Sequence, residues 1–140
     1  MQAGWHDQGD CLFCRIVAHD PWNQVFYSDA CAVAFLDIAP ATKGHTLVVP
    51  RLHRVDIFDA GADHFAMTAR SAQRVAQHLE ARLHPEGLTL IQSNRAAGWQ
   101  EVFHLHFHLI PRYAGDGLIL PWTPGEVSAE QMRALTDALR

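Results

Sequence analysis

Between residues 104 and 108 the chain alternates histidine with apolar residues, His104-Leu105-His106-Phe107-His108. Imidazole changes charge near neutral pH, and its neutral form is both a nucleophile and a metal ligand. In a strand, successive side chains point to opposite faces. That arrangement puts His104, His106 and His108 on one face and Leu105, Phe107 and Leu109 on an apolar face suited to a core. Two kinds of chemistry fit three imidazoles in a row. Alternating histidines can converge on zinc. Alternatively, a neutral imidazole attacks an electrophile while its neighbours tune its tautomer and charge. A solvent-exposed strand face that merely tolerates histidine is the remaining reading, and alternation this strict argues against it.

A second cluster of chemistry-bearing residues is Cys11-x-x-Cys14. Taken alone it is a redox pair, half of a zinc site, or two small buried residues. Thioredoxin-like chemistry sets such a pair in a βαβ context, which this sequence lacks. The third cysteine, Cys31, lies in an apolar stretch and reads as core packing. An odd number of cysteines, and a start without a basic segment leading into an apolar one, fit a reducing cytoplasm. Of the ten histidines, His6, His19, His64, His78 and His84 fall in terminal, turn or helix positions and read as surface residues.

The elements that must position these groups follow from pattern and punctuation. A short helical turn is expected over 11–17, closed off by Pro21. Residues 24–27 and 31–36 read as strands around a Ser28-Asp29 turn, and 45–49 as a third strand ending at Pro50. Over 62–83 the apolar positions recur at three- and four-residue intervals, which predicts an amphipathic helix stopped by His84-Pro85-Glu86-Gly87. Two more strands are expected at 88–92 and 102–110, and Ser128 with Gln131 reads as a capping box opening a short helix. Strands on both sides of one long helix imply an α+β fold with a mostly antiparallel meander. At 140 residues, with 49% hydrophobic and 19% charged residues, the expectation is a single domain over 1–140. Within it, 1–9 is expected to be flexible and 123–140 to form a tail with the short helix. A net charge of -4 argues against nucleic acid as a partner, and no apolar run approaches the roughly 20 residues of a membrane span.

The segment from Gly98 to Arg112 resembles the histidine-triad (HIT) signature, His-φ-His-φ-His-φ-φ with φ apolar. Asp37-Ile38-Ala39-Pro40 and the stretch from Gly44 to His53 look like the same family's upstream block. Asp10-Cys11-Leu12-Phe13-Cys14-Arg15-Ile16 looks like the start of its bacterial branch. The matches run in order from residue 10 to about 122. The resemblance implies a HIT-like fold and nucleotidyl hydrolysis or transfer at an α-phosphate. It makes His106 the nucleophile of a nucleotidyl-histidine intermediate, has His108 bond the phosphate oxygens, and gives His45 the orienting role. It implies that Gln100 contacts phosphate, that Asp37 holds the ribose hydroxyls, and that Phe13, Ile16, Ile38 and Leu47 form a slot for the base. Ordinary core packing is the competing reading for the four apolar residues. By the same resemblance Cys11, Cys14, His53 and His104 bind structural zinc, which gives His104 a task different from its two neighbours.

Two departures from the family pattern bear on the leaving group. Glu101 stands where a Ser or Thr is frequent, and Trp99 replaces a glycine of the loop. Further upstream, Ser93 followed by Asn94 occupies the place of a common Asn or Gln. The implied substrates are purine nucleoside phosphoramidates or adenylylated compounds. Dinucleoside polyphosphates are the alternative within the same chemistry. A nucleotide-binding or scaffold module with little turnover, and a metallohydrolase with all three histidines on one zinc, are alternatives of other classes. A homodimer is implied, paired through the long helix and an edge strand.

Overall fold

The structure, a computed structural model, describes residues 10–140. The flexible stretch expected at 1–9 and His6 lie outside the described residues. Helix α1 (Leu12–His19) starts at Cys11, whose sulfur accepts from the Cys14 N–H at 3.4 Å, and stops at Asp20 in the left-handed region. Strands β1 (Val25–Ser28), β2 (Ala32–Leu36) and β3 (Thr46–Pro50) follow, then the long helix α2 (Ala62–Leu83). After it come β4 (Gly87–Ile91), β5 (Phe107–Arg112) and α3 (Ala129–Leu139). The last helix opens with both reciprocal bonds of the Ser128–Gln131 capping box.

The five strands form one sheet in the order β1-β2-β3-β5-β4, with every neighbouring pair antiparallel. This is an α+β fold, as the pattern of elements predicts. Asp29 fixes the first hairpin. Its Oδ1 accepts from the Cys31 and Ala32 N–H groups, while Oδ2 accepts from the Tyr27 hydroxyl and from Ser71 on α2. One side chain therefore ties the β1–β2 turn to the long helix.

Alternation in the central strands divides the core in two. Ala32, Ala34, Val48, Phe107 and Leu109 pack under Ala72, Val75 and Leu79 of α2. Val33, Phe35, Leu47 and Val49 face the other way and pack with Phe13 and Ile16 of α1. Strands β2 and β3 are thus covered on both sides, which is why they read as continuous apolar runs. In β5, His108 lies between Phe107 and Leu109 in the alternation and so faces the α1 side.

The strand expected at 102–110 begins only at Phe107. Its ladder with β3 ends at Val48↔Phe107 and its ladder with β4 at Ile91↔His108, because Val49 and Pro50 pair with β2 alone. Pro50 also has no N–H to offer. His104 and His106 consequently lie in an irregular entry to β5, anchored where the Leu105 N–H donates to the Arg54 carbonyl at 2.7 Å. The three histidines do not share one strand face; only His108 is in the strand.

Candidate active site and metal cluster

His106 is buried, and its Nδ1 lies 2.7 Å from the backbone carbonyl of His104. A carbonyl only accepts, so Nδ1 carries the proton and Nε2 keeps its lone pair. Burial holds the His106 pKa below its ordinary value, opposed by that carbonyl bond and by Asp37. The result is a neutral imidazole at neutral pH. Phe13 meets it edge-on with centroids 5.2 Å apart, and His108 lies 5.0 Å away.

A directed hydrogen-bond chain sets His108. The Ala41 N–H donates to His45 Nδ1 at 2.9 Å, which leaves the His45 proton on Nε2. His45 Nε2 then donates to His108 Nδ1 at 2.9 Å, so the His108 proton sits on Nε2. Burial, together with His106 and His45, lowers the His108 pKa to about 4, so its ring remains a neutral donor. Burial also lowers His45, with Asp37 opposing. The turn that delivers His45 depends on Gly44, at φ 90°, where a Cβ would meet the side chains of Leu83 and Pro111. The turn closes with the His45 N–H donating to the Thr42 carbonyl at 3.1 Å, and Thr42 in turn donates to the Pro111 carbonyl.

His106 and His108 open onto a cavity of about 360 Å³, within the range of small-molecule sites. Phe13, Ile16, Phe35 and Leu47 form its buried apolar wall, and Asp37, Ile38, Trp99, Glu101 and Val102 also line it. The four apolar residues expected to hold a base are therefore all present, with Ile38 91% exposed at the rim. Asp37 Oδ1 accepts from the Ala39 N–H, while Oδ2 lies 3.5 Å from His45 Nε2 and 4.0 Å from His108 Nδ1.

Three residues expected at the nucleotide do not line this cavity. Gln100 is only 3% exposed, and its amide is consumed by backbone. Its Oε1 accepts from the Arg95 N–H and its Nε2 donates to the Val55 and Val102 carbonyls. Asn94 accepts from the Ile57 N–H and exchanges two bonds with Gln92, and the Ser93 carbonyl accepts weakly from Gln92. These groups brace the loop, because a buried amide takes the nearest backbone partners. Phe35 went unnoticed in the sequence although it faces the cavity. Its signal is strand alternation, which puts it on the same face as Val33 and edge-on to Phe13 at 5.5 Å.

His64 also departs from expectation. It is half-buried with both ring nitrogens enclosed, and burial followed by Arg54 lowers its pKa. His19, His78 and His84 are exposed, with His78 stacked on Phe26.

On the other side of His106, four ligand atoms converge. Cys14 Sγ lies 3.2 Å from His53 Nδ1 and 3.5 Å from His104 Nδ1. Cys11 Sγ is 3.5 Å from His104 Nδ1, and the two Nδ1 atoms are 3.1 Å apart. A tetrahedral zinc with bonds of about 2.0–2.1 Å to nitrogen and 2.3 Å to sulfur has edges of about 3.3–3.8 Å, so the set fits one ion. His104 Nε2 donates to the Pro50 carbonyl at 2.9 Å, which frees Nδ1 as a ligand. Burial lowers the His104 pKa to about 4 and, with Cys11 beside it, pushes the Cys14 thiol up to about 12, so a thiolate there needs a cation. Among the described residues the ligand clusters separate the triad. His104 belongs to this set, His108 to one with Asp37 and His45, and His106 to neither.

Comparisons with known proteins identify the family. Residues 21–115 match the HIT domain. The Bacillus subtilis protein named hit is 36% identical over 118 residues, covering 84% of this chain and 81% of that protein. A zinc-bound histidine triad family protein from Mycobacterium smegmatis superposes with a TM-score of 0.73 at 37% identity, covering 94% of this chain and 96% of the other. A histidine triad nucleotide-binding protein from Candida albicans does so with a TM-score of 0.80 at 25% identity, covering 92% and 94%. The chain belongs to the HIT family.

Proposed function

We propose that the protein hydrolyses nucleotidyl conjugates, foremost purine nucleoside phosphoramidates and adenylylated compounds, through a covalent nucleotidyl-histidine. The observation that carries this reading is the tautomer of His106. With Nδ1–H donated to the His104 carbonyl, the Nε2 lone pair is available at the cavity without any proton having to be removed first.

The base lies against Phe13, Ile16, Ile38 and Leu47, and Asp37 is in reach of the ribose hydroxyls. His106 Nε2 attacks the α-phosphorus, and the bond to the leaving amine breaks as the amine takes up a proton from solvent, which the water of the next step gives back. Water then attacks the same phosphorus, releases the nucleoside monophosphate and restores His106. The net reaction consumes one water per nucleotidyl amide. His108, with its proton fixed on Nε2 by His45, donates to a phosphate oxygen as charge develops. Loop placement of Gln100, Ser93 and Asn94 supports the wall that carries Glu101 rather than the phosphate itself.

Zinc held by Cys11, Cys14, His53 and His104 is structural in this reading. A closed Cys₂His₂ set leaves no open position for substrate, and the ion ties α1 to the entry of β5. A homodimer is part of the same proposal, since β4 is an edge strand with Leu88 and Leu90 exposed beside the long helix. A monomer in ultracentrifugation at micromolar concentration counts against it. A cytoplasmic location belongs to the same proposal; no helix among the described residues is long and apolar enough to cross a membrane.

The test is to incubate the protein with a labelled nucleoside phosphoramidate, quench, and map any adduct. The expected result is an acid-labile nucleotidyl group on the peptide bearing His106, absent in His106→Ala. No adduct and no hydrolysis across phosphoramidates and dinucleoside polyphosphates rejects the enzyme reading in favour of a binding module.

A further inference from the structure

Trp99 and Glu101, two of the positions where this chain departs from the family pattern, both line the cavity. Trp99 sits at φ 74°, ψ 17°, a left-handed conformation that glycine adopts freely and large side chains rarely do. The loop enforces it: the Trp99 N–H donates to the Ala96 carbonyl, and the buried Gln100 amide pins the residues on either side. Despite this constraint Trp99 remains 57% exposed, so it is not there to fill the core. Its ring stacks on Trp122, from the segment after β5, with centroids 6.3 Å apart and planes inclined by 27°.

Electrostatics at this rim are one-sided. Glu101 makes no ion pair among the described residues, and no lysine or arginine lines the cavity. Arg95, the basic residue nearest in sequence, lies over the Phe58 ring at 4.3 Å and 3.8 Å from Asp56. A free carboxylate and indole faces both attract a cation. A polyphosphate arm would meet a like charge instead. With the base on the buried apolar wall, in-line attack sends the departing group away from His106, into the part of the same cavity that Trp99 and Glu101 line.

We propose that Trp99, braced by Trp122, and Glu101 form the leaving-group subsite and select nucleotidyl amides whose amine carries a second, cationic group. The inference rests on the catalytic reading above and adds which substrates that site prefers. During reaction the leaving nitrogen takes the proton, while the remote ammonium or guanidinium stays charged against Glu101 and the indoles.

The experiment measures binding, so it does not depend on turnover. Non-hydrolysable adenosine 5′-sulfamates bearing N-aminobutyl, N-pentyl or N-carboxypropyl groups are titrated calorimetrically into the wild type, Glu101→Gln, Trp99→Gly and Trp99→Phe. Wild type is expected to bind the cationic compound about 5- to 10-fold more tightly than the neutral one, and the anionic compound most weakly. In Glu101→Gln the cationic and anionic compounds converge to within about 2-fold. Trp99→Gly, whose new residue fits φ 74°, reduces the cationic preference about 3-fold, and Trp99→Phe restores part of it. Equal affinities in the wild type, or an unchanged spread in Glu101→Gln, overturn the proposal. A preserved ranking without hydrolysis or adduct removes the catalytic reading and leaves the subsite standing. Hydrolysis with no leaving-group preference does the reverse.

Discussion

His104 and His106 are two residues apart, both buried and both pushed toward neutrality, yet they carry opposite tautomers. His104 donates Nε2–H to the Pro50 carbonyl and turns the Nδ1 lone pair toward two sulfurs. His106 donates Nδ1–H to the His104 carbonyl and keeps the Nε2 lone pair for the cavity. Burial explains why both are uncharged, but it does not distinguish a ligand from a nucleophile. The distinction comes from which backbone carbonyl each ring finds. Pro50 matters twice here. It ends the β3–β5 ladder, so the chain entering β5 is irregular, and its carbonyl then selects the His104 tautomer.

If the two regions divide catalysis from structure, substitutions should separate activity from stability. The largest effect is expected from His106→Ala, a loss of at least about 10⁴-fold in phosphoramidate hydrolysis. Its zinc content, by atomic absorption, should remain at the wild-type level. His45→Ala should lower kcat by about 10²- to 10³-fold, since His108 loses the bond that fixes its proton. A His45→Ala rate within 2-fold of wild type, approximately, would leave the directed chain without a role.

On the other side of the comparison, Cys14→Ser should abolish zinc retention and lower the thermal midpoint by about 10 °C. Activity should fall only as far as the fold loosens, which hydrolysis assayed well below that midpoint would show. Equal losses of activity and metal in both His106→Ala and Cys14→Ser would merge the two regions into one metallohydrolase centre.

A smaller effect concerns pH. His45, His104, His106 and His108 all have folded pKa values below the ordinary 6.5, with His104 and His108 at about 4. Below pH 6.5 the unfolded chain therefore binds protons that the folded chain refuses, and stability declines as pH falls from 6.5 toward 4. Above pH 7 these groups are neutral in both states and contribute no slope. Thermal scans of the metal-free protein should show this decline, and a flat midpoint across the window would mean that the rings are more solvated than their burial implies.

Much of this was legible in the residues. The period of 62–83 marks the helix over its full span, and Ser128 with Gln131 marks the last helix. The spacing of Cys11, Cys14, His53 and His104 carries a metal set only through family resemblance, because no local pattern links residues 93 positions apart. Alternation assigned Leu105, Phe107 and Leu109 to the core correctly, yet it placed the three histidines on one strand. The strand's start depends on where β3 and β4 stop, which is a non-local fact. The brace formed by Gln100 was hidden for the same reason. A glutamine offers donors and an acceptor to phosphate and backbone alike, and only the loop's conformation decides which it meets.

The most direct test of the opposite tautomers is a long-range ¹H–¹⁵N correlation spectrum of histidine-labelled, zinc-loaded protein at neutral pH. The account predicts His106 protonated on Nδ1 with an unprotonated Nε2, and His104 protonated on Nε2 with a metal-shifted Nδ1. Finding both rings protonated on the same nitrogen, or His106 as an imidazolium at pH 7, would contradict it.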